Sequence, residues 1–228
     1  MIKVFYGETP NVYKVTIAIE EMGLESERVP VNIFEGEQFS PAFLAISPNN
    51  RIPAIVDTAP TGGGEPISVA ESGAILIYLA EKVGRFLPST PKERALTLQW
   101  VMWQMSAQGP TLGQFGHFRN YAPEKLPYAI ERFGKESHRL YGLLDRQLSD
   151  REYLAGDYSI ADMICWPWLL FREHHGLDLA EFPNLGRWFH SIDARPAVRE
   201  ALRESVIPKP RTSFSDEERQ LLFNQRGV

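Results

Sequence analysis

The chain runs to 228 residues, 43% of them hydrophobic and 23% charged, with a formal net charge of −5. That composition suits a soluble globular protein with one sizeable core or two smaller ones. The acidic balance speaks against a nucleic-acid face, no window supplies the apolar run of a membrane span, and the lone Cys165 excludes an internal disulfide, pointing to a reducing, cytoplasmic compartment.

Residues 2–6 read as a strand, because the apolar character of residues 1–7 is too short for a secretion signal. Residues 11–22 carry helical spacing, with Val12, Val15, Ile19 and Met22 on one face. A second strand is expected over 27–33. A short helix begins at Ser40-Pro41, with serine as cap and proline in the first turn. Strand 54–57 and the run Ile67-Ser68-Val69 flank a glycine-rich turn at 61–64, and a helix over 72–83 closes the unit. This order predicts a domain over 1–84 built on a small mixed sheet with helices on both faces.

Past residue 84 the strand patterns stop. Segments 92–108, 124–148, 160–174, 183–194 and 196–205 all carry helical spacing, which predicts an all-helical bundle over 91–206. The clearest helix start is Tyr158-Ser159-Ile160-Ala161-Asp162: Ser159 caps, Asp162 answers three residues on, and Tyr158 can staple onto the first turn. Pro167 is expected to kink that helix. Residues 207–228 form a polar tail, with 216–223 readable as either a short helix or a disordered segment.

Two short segments carry the most chemistry. In Asn49-Asn50-Arg51-Ile52-Pro53 a proline interrupts a strand-like run, and the Ile52-Pro53 bond is a candidate for the cis form. Such an edge would leave the Ile52 backbone able to pair with an extended ligand. In Glu71-Ser72-Gly73 an acid and a hydroxyl stand just ahead of an apolar helix, whose N-terminal N–H groups and partial positive charge favour a carboxylate. The pair predicts a site for a small, extended, acidic peptide; read separately, each segment is equally well an ordinary strand or an ordinary capped helix.

Taken with the Ser-Ile-Ala-Asp capping box, this pattern resembles the glutathione transferase fold over roughly residues 1–205: an α/β thioredoxin-like N-terminal domain and an all-α C-terminal helical bundle. Thr9-Pro10-Asn11, Ser47-Pro48-Asn49-Asn50, Glu71-Ser72-Gly73-Ala74-Ile75 and Pro127-Tyr128-Ala129-Ile130-Glu131-Arg132 are similar to the bacterial nu class. The resemblance implies an enzyme, a homodimer, that binds two glutathione thiols or one glutathione disulfide as co-substrate and reduces small disulfides, with weak transferase and peroxidase activity. It places Thr9 and Asn11 at the glutathione sulfur as the catalytic pair. It also places the Ile52 backbone at the cysteinyl part, Glu71 at the γ-glutamyl ammonium, Ser72 at the γ-glutamyl carboxylate, Gln38 near the glycyl end, and Arg132 on a terminal carboxylate of its own or the partner subunit. Arg51 would rim the pocket.

A free thiol has a pKa of ~8.5, so about 3% is thiolate at neutral pH, and lowering it by ~2 units takes roughly 2.7 kcal/mol of differential stabilisation. Hydrogen-bond donors at the start of a helix can supply that without a covalent enzyme intermediate. Tyr6, late in the first strand, is the alternative activator, with core packing as its competing role. The chain has no Cys-x-x-Cys and no cysteine near Thr9, so the electrons would come from glutathione. Cys165 reads as a buried inert thiol and Asp162 as a structural cap. The adjacent His174 and His175 point in different directions on a helix and lack partners at metal-ligand spacing, so no metal is expected. The stretch 108–118 breaks a helical pattern with three glycines and a proline; Phe115, His117 and Phe118 could wall a second-substrate site or pack in a kinked core helix. Trp100 and Trp103 share a face suited to core or subunit contact. A conjugating transferase for electrophiles and a non-catalytic regulatory protein of the same fold are the rival readings.

Overall fold

The computed structural model describes residues 1–223, apart from Val206, Lys209, Pro210, Thr212 and Ser213. Strands β1 (Ile2–Tyr6), β2 (Ser26–Pro30), β3 (Ala54–Asp57) and β4 (Ile67–Ala70) form one sheet in the order β2-β1-β3-β4. β1 runs parallel to β2, with Val4 opposite Arg28, and antiparallel to β3, with Val4 opposite Ile55; β3 runs antiparallel to β4. The parallel pair requires a crossover, which helix α1 (Pro10–Met22) supplies. Strand alternation sends Ile2 and Val4 into the main core and Phe5 to the opposite face. There Phe5 meets Phe43 of the short helix α2 (Pro41–Leu44) edge to face, 5.6 Å between ring centres. Helix α3 (Ser72–Val83) packs beside α1 on the main-core face.

The expectation of one apolar stripe on α1 understates its burial. Val12 to Ile19 are all buried without a break, because α1 is wedged between the sheet and the helices that follow. Those helices are α4 (Pro91–Trp103), α5 (Gly109–Gly116), α6 (Pro127–Gln147), α7 (Ile160–Cys165), α8 (Arg172–His175), α9 (Pro183–Asp193), α10 (Pro196–Leu202) and α11 (Asp216–Leu222). Together with the sheet unit they make a mixed four-stranded domain joined to an all-helical one. Arg195, at the start of α10, grips the Glu21 carboxylate of α1 through two bonds of 2.5 and 2.9 Å.

Glycines and a proline do not break the 108–118 stretch. Residues 91–121 stay helical, with π-type turns at Gln104–Gln108 and His117–Tyr121. Pro110 has no N–H to give and would crowd the carbonyl four residues back, so the wider turn just ahead of it re-registers the ladder. The expected helix 160–174 divides instead: α7 tightens into a 3-10 segment, Trp166–Phe171, at Pro167, and α8 follows. Asp162 completes the predicted box, accepting from Ser159 N (3.1 Å), Leu154 N (3.0 Å) and Trp188 Nε1 (2.9 Å). Helix α11 lies within the expected 216–223 segment; the rest of the 207–228 tail is in part outside the described residues. No described helix is long and apolar enough to cross a membrane.

Candidate functional site

Where the sheet domain meets α5 and the 3-10 segment, a cleft of about 510 Å³ opens. Asn11, Arg51, Ile52, Glu71 and Ser72 border it from the sheet domain, and Gln104, Met105, Gly113 and Trp168 from the helical one. The Ile52-Pro53 bond is cis, and the Ile52 N–H and C=O have no hydrogen-bond partner among the described residues. Glu71 caps α3 with φ 69° and ψ 117°, a conformation that costs a non-glycine residue about 1–3 kcal/mol. Its side chain stays exposed at the rim, where Asn49 Nδ2 lies 3.5 Å from Oε1. Ser72 is buried at the first turn, and Gly73 behind it has no side chain: a Cβ there would stand 3.0 Å from Met105 Cγ. Glycine therefore lets the α3 N-terminus press against the π turn and face the cleft.

Thr9 and Asn11 flank the start of α1 differently. Thr9 caps the helix, its Oγ1 accepting from Val12 N at 3.3 Å, which leaves its hydroxyl proton to give away. It borders a second, mainly apolar cleft of about 570 Å³ that adjoins the first. Asn11 Oδ1 accepts from Trp168 Nε1 at 3.3 Å, so the amide N–H₂ is the end left for the cleft. Arg51, Gly113 and Trp168 border both clefts and join them.

Two other expected residues lie elsewhere. Gln38 is buried, donates to Ile33 O at 3.1 Å, and borders neither cleft. Arg132 projects from α6 with its side chain 59% exposed and Glu136 4.0 Å away, again away from both. Tyr6 also borders neither, and its hydroxyl donates to Glu8, which holds Tyr13 as well. Burial, then the Glu8 bond, push the Tyr6 pKa up. Phe115, His117 and Phe118 do not wall the second cleft; Leu112, Gly113 and Gly116 do, because they lie on the other side of the helix. Phe115 stacks near His175, Phe118 on Phe133, and His117 meets Phe223. His174 bonds Pro208 O at 2.7 Å, while His175 lies between Phe115 and Trp168, where burial holds it near 4. Among the described residues no three His, Cys, Asp or Glu side chains gather as a metal site would require. Cys165 is fully buried, and burial pushes its thiol well up.

Gln104, Met105 and Trp168 reach the cleft without having been expected there from sequence, and so does Lys14. Lys14 is 1% exposed, yet its Nζ borders the cleft, donating to Gln104 Oε1 (2.6 Å) and Ser72 Oγ (3.2 Å). Burial pulls its pKa down to about 7. The available signal was its position: three residues past Asn11, on the same side of a helix whose other neighbours are apolar.

Sequence models of the glutathione S-transferase N-terminal and C-terminal domains match residues 1–81 and 119–196. Disulfide-bond oxidoreductase YfcG of Escherichia coli is 47% identical over 93% of this chain and 99% of its own length. The chain belongs to the glutathione transferase family. Disulfide-bond oxidoreductase YghU of the same organism is 42% identical over 84% of this chain and 70% of its own. The fold superposes on a glutathione transferase from Pseudomonas putida, solved with one glutathione disulfide per subunit, with a TM-score of 0.84 and 40% identity over 89% of this chain and 91% of that one. A family member from Pseudomonas fluorescens, solved with two glutathiones bound, gives 0.82 and 40% over 88% and 92%.

Proposed function

We propose that this protein is a glutathione-dependent disulfide-bond reductase that seats two glutathione thiols, or one glutathione disulfide, in the two adjoining clefts. The observation that carries this reading is the convergence of Asn11, Ile52, Glu71 and Ser72 on one cleft while Thr9 and Arg51 open onto the next. Relatives of 47% and 42% identity that are named disulfide-bond oxidoreductases support it, as do the two bound states of the Pseudomonas neighbours.

In this reading the γ-glutamyl carboxylate meets Ser72 and the first N–H groups of α3, and Glu71 takes the ammonium. The Ile52 backbone pairs with the cysteinyl unit. Thr9 and Asn11 donate to the sulfur and hold it as thiolate. Gln38 supports the backbone near the glycyl end, and Arg132, which borders neither cleft of its own subunit, takes a terminal carboxylate across a dimer. One glutathione thiolate attacks a sulfur of the substrate disulfide, forming a mixed disulfide and expelling one substrate thiolate. The second thiolate attacks the glutathione sulfur of that mixed disulfide, releasing the other substrate thiol and leaving glutathione disulfide. Both electrons come from glutathione.

A homodimer fits the exposed Leu96 and Met102 on α4. The cytoplasm fits a chain whose single thiol makes no disulfide and whose co-substrate is a reducing thiol. Weak transferase and peroxidase activity would accompany disulfide reduction, and the apolar lining of the second cleft favours one other reading, conjugation of glutathione to electrophiles. Calorimetry with reduced and oxidised glutathione, and turnover with a small disulfide against an aromatic halide, test both. Two thiols or one disulfide bound per subunit and a faster disulfide reaction are expected; no affinity for either form overturns the reading.

A further inference from the structure

Beneath the cleft lies a buried polar cluster of which glutathione recognition as described above uses only Ser72. Lys14 Nζ spans Gln104 Oε1 and Ser72 Oγ, with Met105 Sδ 3.9 Å away. Gln104 is fully buried and borders the cleft, yet its Nε2 has no partner among the described residues. A lysine with no carboxylate to pair with does not belong in a protein interior by packing alone. The charged and titratable groups that face it are Glu71 from the α3 cap, Cys165 from α7 and Arg51 across the cleft. Of these, Glu71 is exposed, Cys165 is held as a neutral thiol, and Arg51 carries Lys14's own sign. The cluster therefore has a cation, a hydroxyl bonded to it at the first turn of α3 and an unpartnered amide donor, on residues that border the cleft, and among the described residues no carboxylate is paired with the cation.

We propose that Lys14 is the buried counter-ion for the α-carboxylate of the γ-glutamyl group, acting through Ser72, and that it takes up a proton when that carboxylate binds. This rests on the assignment of the cleft to glutathione. Ser72 Oγ accepts from Lys14 and donates its own proton only to Met105 Sδ (3.4 Å), a weak acceptor that an incoming carboxylate would replace. With its pKa near 7, the unliganded lysine is already part neutral at physiological pH. An arriving negative charge restores the ammonium form, because an opposite charge nearby favours it. Lys14 thereby couples glutathione affinity to pH without touching the reacting sulfur.

The test is titration calorimetry with S-methylglutathione, which has no thiol proton to release, run at pH 7.5 in two buffers of different ionisation enthalpy. The wild-type protein is expected to take up more than about half a proton per site. Lys14→Met should abolish the uptake and weaken binding about tenfold or more. Lys14→Gln, which can still bond Gln104 and Ser72 but carries no charge, should behave like Lys14→Met; full affinity in that variant would reduce Lys14 to a structural strut and overturn the proposal. A glutathione analogue with 4-aminobutanoyl in place of γ-glutamyl, lacking only the carboxylate, should bind the wild-type protein without proton uptake. Wild-type binding with no uptake in either buffer sinks the proposal while leaving the glutathione assignment intact; no binding of S-methylglutathione or glutathione at all sinks the assignment itself.

Discussion

Asn11 and Trp168 show how much a single hydrogen bond decides at the site. The indole N–H occupies the amide oxygen and so presents the N–H₂ end, the one able to stabilise a thiolate. Asn11→Ala is expected to lower turnover about 10²-fold while changing glutathione affinity little, measured as kcat against Kd; equal losses in both would deny it a place at the sulfur. Ser72→Ala should chiefly raise the glutathione KM, and a purely catalytic defect would contradict its role. Lys14 makes a separate prediction about stability. Its folded pKa of about 7 lies below the ordinary 10.5, so between those values the unfolded chain holds a proton that the folded chain has released. The stability of the ligand-free protein should therefore gain a rising component as pH climbs from about 7, with the full burial penalty present below it. The difference between wild type and Lys14→Met in urea unfolding at pH 6.5 and 9 isolates that component.

Among the elements, caps and prolines were legible and helix continuity was not. Ser159 and Asp162 announce α7 because their bonds reach only three residues, and the structure adds two donors from elsewhere, Leu154 N and Trp188 Nε1. Asp162→Ala should cost about 3 kcal/mol in urea unfolding, since it strips the box and leaves buried donors unpaired; a loss within experimental error would mean that water or relaxation replaces them. Pro167, expected to kink a continuous helix, instead stands where the α-helix gives way to a 3-10 segment. Pro110 and its glycines misled, because a π turn can absorb a missing N–H without ending the helix. The same turn sets Gln104 beneath the cleft, where it bonds Lys14. Cys165 at the end of α7 is buried and inert, so Cys165→Ser should leave disulfide reduction nearly intact; lost activity in a folded variant would overturn that.

At the scale of the molecule, function depends on docking the helical unit against α1. Arg195 on Glu21 and the burial of α1 on all sides hold the 3-10 segment, and with it Trp168, over the first turn of that helix. The proposed dimer is tested by size-exclusion chromatography with light scattering: about twice the 25.9 kDa chain mass is expected, and Met102→Glu, which puts a charge on the exposed face of α4, should shift it toward the monomer. The sequence by itself determined the sheet domain, the helical domain and the two segments that meet at the first cleft, because strand alternation, helix caps and the Ile-Pro and Glu-Ser pairs are all encoded within a few adjacent residues. Only the tertiary structure decided that Lys14, Gln104 and Trp168 belong to the cleft, that Gln38, Arg132 and Tyr6 stand apart from it, and which face of α5 lines its neighbour. Those outcomes turn on contacts between residues up to 157 positions apart, set by how two independently readable domains pack, and no local pattern records that packing.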